Sequence, residues 1–551
     1  MKKRIFLISI SFAFLYLALI SNIYNLQITK GNYYSARAAT QNQLSGLLAA
    51  VRGNIYFTDK TGNLFPAAIN KKYYVIYAVP KEISAGGEAV IDQAAGSIAS
   101  TLGLDKQKLV TAFSNSTSLY YAILKKASQD QAEAIKQQGI VGIYIGGEDL
   151  RYYPFNNVAS QLLGFVAPSS SSNVVSGKYG AEAYFDDKLS GKNGELKGDK
   201  IIDAQDGKDV VLTIDPTVQE RAESILDDLI NKFKAEGGSI IVQDPKTGRI
   251  IAMGSFPNFD PNNYADSNIK DLLNPVVQSI YEPGSVFKVL TMAAGIDSGK
   301  LTPDTTYVDK GSIKLDGYTI SNWDSNEKGA HGLTTMAGVI EHSLNTGAAF
   351  AEQLIGKDIF YNYLIKFGFN NLTGIKLPGE VSSNIGKLKT SSAAVDFATA
   401  SFGQGIAVTP IAMINAFSAL ANGGQLMRPI ILADDKPEVI RQPISKDTST
   451  QVIKMMVSAV DINVVAHIPG YYVAAKTGTA QIPGKGGYLY NQFIDTYIGF
   501  APAYNPKFTI LIKLDKAAGG LLAGATVVPA FKDLTTFLLN YYNIPPDYIE
   551  K

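Results

Sequence analysis

The sequence predicts an α+β fold, an antiparallel sheet covered by helices, on three observations. Residues 237–257, "GGSIIVQDPKTGRIIAMGSFP", are two apolar runs joined by Asp244-Pro-Lys-Thr-Gly248, whose turn residues mark a hairpin. Two further strand patterns, "YVAAKTGTAQI" (472–482) and "TYIGFAPAYNPKFTILIKLD" (496–515), lie near the other end of the chain. The stretch between them is dominated by helical periodicity.

Met1-Lys-Lys-Arg4 precedes residues 5–29, which carry no charge. At about 1.5 Å per residue such a run spans a bilayer, so a transmembrane anchor is expected over 5–26. The basic residues ahead of it predict a cytoplasmic tail of residues 1–4 and the bulk of the chain outside. No small-x-small cleavage site follows the apolar run, which favours an anchor over a removed signal peptide.

From 31 to 210 the pattern is mixed, with "KYYVIYAVP" (72–80) expected as strand and "QDQAEAIKQQ" (129–138) as helix. The polar runs 168–180 and 189–200 are expected as a loop and a turn-rich connector. A second domain is expected over 211–540, followed by a tail of 541–551. Its first helix is opened by Asp215 as cap and Pro216 at the first helical position. Further helices are expected after Ser285, on either side of a break near Ser343, and from Pro410, capped by Thr409 and ended by Gly423.

With 551 residues and 46% apolar content, the chain has material for more than one core. Lys and Arg number 50 against 49 Asp and Glu, so no global field draws it to nucleic acid, which is not expected as a partner. The absence of cysteine excludes disulfides, thiol catalysis and Cys-ligated metal. His331, His342 and His467 share no metal-ligand spacing and are expected as hydrogen-bonding groups; neither metal nor cofactor is expected.

"YEPGSVFKVL" (281–290) places Ser285 after a Pro-Gly pair and Lys288 three positions on. On a helix these two share a face, so Lys288 can take the Ser285 proton without histidine. A lysine acts as a base only when burial or a second cation lowers its pKa from about 10.4. S-x-x-K alone is a weak signal, matched also at Ser267/Lys270 and Ser325/Lys328, and its ordinary reading is a helix cap. Ser343-Leu-Asn345 and Lys476-Thr-Gly-Thr479 change its weight. Copies of these motifs at Ser171, Ser382 and Lys246 lack the context, Lys246 lying in the hairpin turn. Lys476 instead interrupts an apolar strand whose neighbours Tyr472 and Val473 are expected buried, a costly place for an unused charge.

These motifs, in this order, resemble the penicillin-binding proteins, of the serine acyl-transferase group that includes class A β-lactamases. "DPKTGRIIAMGSFPNFDPNNY", "HSLNTGAAF", "FGQGIAVTPIAMINAFSALANGG" and "AAKTGTAQ" extend the resemblance over about 210–535. Upstream, "VRGNIYFTDKTGNLF" and "YGAEAYFDDKLSGKNGEL" resemble the non-catalytic pedestal, or dimerisation-type domain, of the class B, monofunctional group. The implied fold is a sheet with helices on both faces plus an all-helical subdomain. The implied activity is peptidoglycan D,D-transpeptidation, with Ser285 attacking the penultimate D-alanine of a stem peptide, Lys288 as base and Ser343 as proton relay. Asn345 would hold the substrate amide, and Lys476, Thr477 and Thr479 the terminal carboxylate. Gly478 would let substrate lie close to the strand, and the N–H groups of Ser285 and Thr479 would form the oxyanion hole. Implied partners are stem peptides, β-lactams, and glycosyltransferase and divisome or elongasome proteins at the bacterial cell membrane. The 495–515 strands look more like the division type. A carboxypeptidase, a β-lactam-resistance or elongation-type enzyme, or a silent scaffold would share these features. Two departures stand out: Ala475 replaces a usual glycine, which would narrow the site, and the pedestal motif is loosened to "GNIYFTDKTG".

Overall fold

The computed structural model describes residues 50–549 apart from 170–171, 198–199 and 485–486, together with Leu15, Tyr16 and Leu19. The anchor expected over 5–26 therefore lies almost wholly outside the described residues. Among the described residues no helix is long and apolar enough to cross a membrane. Residues 50–53 and 187–209 belong to a unit of their own, in which Ala50 N–H donates to Asn193 Oδ1 at 2.9 Å and Val51 N–H to Asp206 Oδ1 at 2.8 Å. The remainder, 54–186 with 210–551, is a second unit.

In the pedestal, Leu64–Ala78 pairs antiparallel with Tyr121–Ala127, Ile143–Tyr152 and Ile55–Thr58, and the last runs parallel to Val210–Val211. The helix expected over 129–138 forms there, with a Ser128/Gln131 capping box. It and two other helices bury Ile76, Ile91, Ile98, Phe113 and Ile135. The run expected as a loop from 168 contains a strand, Ser172–Lys178, paired to Phe165–Ser169. A hairpin needs only its backbone ladder, so polar side chains did not prevent it.

Residues 153–161 and 223–262 meet through polar contacts. Ala159 N–H donates to Glu223 Oε1 at 2.9 Å, and Gln161 Nε2 to the Pro257 carbonyl at 2.6 Å. Asn262 exchanges two hydrogen bonds with the Tyr153 backbone. Burial pushes the Glu223 carboxyl up to about 8, against the hydrogen bonds from Ala159 and Gln219.

Residues 237–515 contribute a five-stranded sheet. Its strands are β1 (Gly237–Gln243), β2 (Ile250–Phe256), β3 (Ala474–Gly484), β4 (Gly487–Ala501) and β5 (Phe508–Asp515), in the antiparallel order β2-β1-β5-β4-β3. β1 and β2 form the expected hairpin. Helix α1 (Pro216–Phe233) starts at the expected cap, the Asp215 carboxylate accepting from the N–H groups of Thr217 and Val218. It packs on one face of the sheet with α7 (Val527–Tyr541), burying Leu226, Ile240, Ile512, Phe531 and Leu534. The other face carries α5 (Pro410–Ala421), capped by Thr409, and α6 (Lys446–Ile462).

Helices α2 (Lys288–Asp297), α3 (Met336–Glu341) and α4 (Asn345–Ile355) pack beside this layer. The subdomain they enter is not all helical. Thr306–Asp309 pairs with Gly332–Thr335, and Ser312–Leu315 with Tyr318–Ser321, two ribbons too short for their alternation to register as strands in sequence. Residues beyond α7 fold back, the Asp547 carboxylate accepting from Tyr472 N–H and the Ile544 carbonyl from the Tyr471 hydroxyl. Val473 is buried as expected, whereas Tyr472 is exposed and lies against the Tyr504 and Tyr548 rings.

Candidate active site

Ser285 lies on a single 3₁₀ turn, Gly284–Phe287, that runs directly into α2 at Lys288. Three residues per turn put i and i+3 in line, and Lys288 Nζ lies 2.9 Å from Ser285 Oγ. The turn rests on two glycines for a visible reason. Gly284 (φ +62°) donates its N–H to the Gly403 carbonyl at 3.0 Å, and a Cβ on Gly403 would sit 2.3 Å from the Gly284 oxygen. Gly403-Gln-Gly405 is thus a close-packing turn beneath the nucleophile.

Ser343 lies in the break between α3 and α4, with a left-handed φ of +56°. Its carbonyl and Oγ meet Lys288 Nζ at 2.6 and 3.2 Å, and its Oγ accepts from Lys476 Nζ at 2.9 Å. One hydroxyl therefore bridges both lysines. Both are buried, at 0% and 4% exposure, which decides their chemistry. Burial, reinforced by the neighbouring Lys476 charge, holds Lys288 well below the usual lysine range, while Asp324 opposes the shift. Burial alone lowers Lys476 to about 7. A second lysine thus stands beside the candidate base, which burial already favours as neutral.

Asn345 opens α4 and donates Nδ2 to the Ser321 carbonyl at 2.9 Å. On edge strand β3 the residues alternate. Lys476 and Gly478 face the Ser285 segment, and a Cβ at Gly478 would lie 2.7 Å from the Pro283 carbonyl and 3.0 Å from Val286 Cγ1. Gly478 thus admits the Ser285 turn against the strand. Ala475 points the other way, into the core below α7, opposite Gly499, where a Cβ would lie 2.4 Å from its methyl. The glycine across the ladder accommodates the extra methyl, so Ala475 does not narrow the cleft.

The Thr479 hydroxyl donates to Asp495 Oδ1 at 3.1 Å and accepts from Ala523 N–H at 3.2 Å. Thr477 Oγ1 stays beside Lys476 Nζ, at 3.2 Å. Burial raises Asp495 to about 6 against the hydroxyls of Thr526 and Thr479. Sequence reasoning missed Asp495 and Asp324, since a lone acid in an apolar strand or after "NW" has no motif spacing. His331 Nε2 lies 3.0 Å from Asp324 Oδ2, the hydrogen-bonding part expected of it. Among the described residues no cluster of three or more His, Asp or Glu could hold a metal ion.

A serine, two buried lysines and a bridging serine beside the free edge of an antiparallel sheet define a serine acyltransferase that works without histidine. Two family models match the chain: the penicillin binding protein transpeptidase domain over residues 238–536 and the penicillin-binding protein dimerisation domain over 47–235. The chain belongs to the penicillin-binding proteins, with the two-domain arrangement of class B. It is 33% identical to "Stage V sporulation protein D" of Bacillus subtilis, over 84% of this chain and 74% of that protein. It is 26% identical to "Peptidoglycan D,D-transpeptidase FtsI" of Escherichia coli K12, over 89% and 84%. The crystal structure of penicillin binding protein 3 from Mycobacterium tuberculosis, complexed with aztreonam, superposes with a TM-score of 0.68 at 26% identity, covering 91% of this chain and 98% of that one.

Proposed function

We propose that this protein is a peptidoglycan D,D-transpeptidase that cross-links stem peptides through an acyl-enzyme on Ser285 and is acylated there by β-lactams. The observation that carries this is the Ser343 hydroxyl shared by Lys288 and Lys476, with Lys288 in contact with Ser285 Oγ. Neutral Lys288 takes the Ser285 proton as Oγ attacks the carbonyl carbon of the penultimate D-alanine. The N–H groups of Ser285 and Thr479 hold the resulting oxyanion. Ser343 passes a proton, drawn from the lysines, to the nitrogen of the departing D-alanine. An amine of a second stem peptide then attacks the ester and regenerates the serine.

Asn345 keeps its Oδ1 to accept from the substrate amide, and Lys476 with Thr477 binds the terminal carboxylate. An enzyme of this kind needs no nucleotide, which suits a catalytic domain outside the cell. The uncharged run 5–29 supports a single-pass anchor, with the pedestal over 31–210 and the catalytic domain over 211–540. The likeness to FtsI supports a role in septal wall synthesis, alongside glycosyltransferase and divisome membrane proteins.

Labelling with a fluorescent penicillin tests the chemistry. The wild type is expected to label and Ser285→Ala not to. Labelling of the alanine variant at the wild-type rate would remove Ser285 as nucleophile. Product analysis with stem peptides and an amine acceptor separates transfer from hydrolysis, and exclusive hydrolysis would convert the reading to a carboxypeptidase.

A further inference from the structure

Residues 321–324, Ser-Asn-Trp-Asp, run beside the Ser343 turn and bind it on both sides. Ahead of the serine, the Trp323 indole N–H donates to the His342 carbonyl at 3.0 Å. Behind it, the Ser321 carbonyl accepts from Asn345 Nδ2 at 2.9 Å and Asn322 Oδ1 from Thr346 N–H at 3.1 Å. Asn322 is itself fixed by Asp309 Oδ1, which also accepts from Thr346 Oγ1 at 2.6 Å. A serine at φ +56° is in a conformation that non-glycine residues adopt only when surroundings impose it, and these contacts impose it.

Asp324 ends the strap. Its side chain is 1% exposed; Oδ2 meets His331 Nε2 at 3.0 Å and lies 3.8 Å from Lys328 Nζ. Oδ1 is buried with no hydrogen-bond partner among the described residues. Around Asp324 lie Lys328 and His331, whose ring contacts that of His342, and these fix the far end of the strap.

We propose that the Ser321–Asp324 strap is a positioning element for acylation: Trp323, with Ser321 and Asn322, holds the Ser343 turn in its left-handed conformation. The inference rests on the acylation reading above.

The test follows acylation of the full chain in detergent by a fluorescent penicillin, resolving the acylation rate constant from the apparent dissociation constant across pH. Trp323→Phe keeps the exposed ring and removes one N–H. It is expected to lower the rate constant about tenfold and leave the dissociation constant unchanged, because the turn is misplaced and not the ligand. A wild-type rate constant in this variant would overturn the positioning role. Absence of labelling in the wild type would defeat the acylation reading itself, whereas a labelled wild type with an indifferent Trp323→Phe defeats the strap alone.

Discussion

Substituting alanine at Gly478 would place a methyl against the segment that carries the nucleophile. The added Cβ would lie 2.7 Å from the Pro283 carbonyl oxygen, 3.0 Å from Val286 Cγ1 and 3.3 Å from Val286 N. Restoring an ordinary carbon–oxygen contact of about 3.3 Å requires the Ser285 turn and β3 to part by roughly 0.6 Å. Two of these three neighbours are backbone atoms, fixed further by the Gly284–Gly403 hydrogen bond, and cannot rotate aside. Overpacking of this kind costs about 1–3 kcal/mol. In a domain of this size that lowers Tm by a few degrees, at ~2–4 °C per kcal/mol. The shift moves Ser285 Oγ relative to Lys476 and the Thr479 N–H, and since a 1 Å misplacement costs about 10²-fold, a tenfold or greater fall in acylation is expected. Stopped-flow acylation with a fluorescent penicillin and calorimetry on the same preparation measure both. If Gly478→Ala raised the apparent dissociation constant with Tm and the acylation rate constant intact, substrate and not the Pro283–Val286 turn would occupy that space, and the reasoning would fail.

Two further outcomes follow from buried titratable groups. Glu223, raised to about 8 where the pedestal meets the catalytic domain, binds its proton more tightly folded than unfolded, so its contribution is complete below about pH 4 and is lost as pH rises through 8. Glu223→Gln, which can keep the acceptor for Ala159 N–H, is expected to match the wild type near pH 5 and gain on it by up to roughly 1.4 kcal/mol per pH unit toward pH 8. Denaturant titrations at three pH values check this, and parallel pH dependences would refute it. Lys476, lowered to about 7, carries its charge below that pH and loses it above, so penicillin affinity should fall as pH rises through 7. Lys476→Arg stays charged and is expected to abolish that alkaline fall even where its overall rate is lower. An identical fall in both proteins would show that the carboxylate does not depend on this charge.

Local signals in the chain were enough for elements closed by their own residues. Asp215 before Pro216 and Thr409 before Pro410 start helices where a cap and a fixed φ coincide. The Asp244–Gly248 turn makes its hairpin because the turn chemistry is contained in five consecutive residues. Ser285 and Lys288 could be paired because one turn of helix joins them. Where the partner is distant, local reading misdirected. Ala475 was expected to crowd the cleft, yet its direction follows from strand alternation and its space from Gly499 across the ladder. The contact of the Thr479 hydroxyl with Asp495 had no signal in sequence, because the two are adjacent only across the β3–β4 ladder. Trp323 and Asp324 had no recognisable spacing from Ser343, because what links them is packing.

Composition and order thus determined by themselves that this chain has a histidine-free serine, candidate motifs in family order, an uncharged run fit for a membrane and no thiol chemistry. Tertiary structure decided which of those residues are chemically competent. A lysine becomes a base when it loses water or gains a like-charged neighbour, and neither burial nor a neighbour from a strand nearly two hundred residues away is a property of a tetrapeptide. The site exists because the Ser285 turn, the left-handed Ser343 and the edge of β3 are pressed together closely enough that glycine is required at 284, 403 and 478.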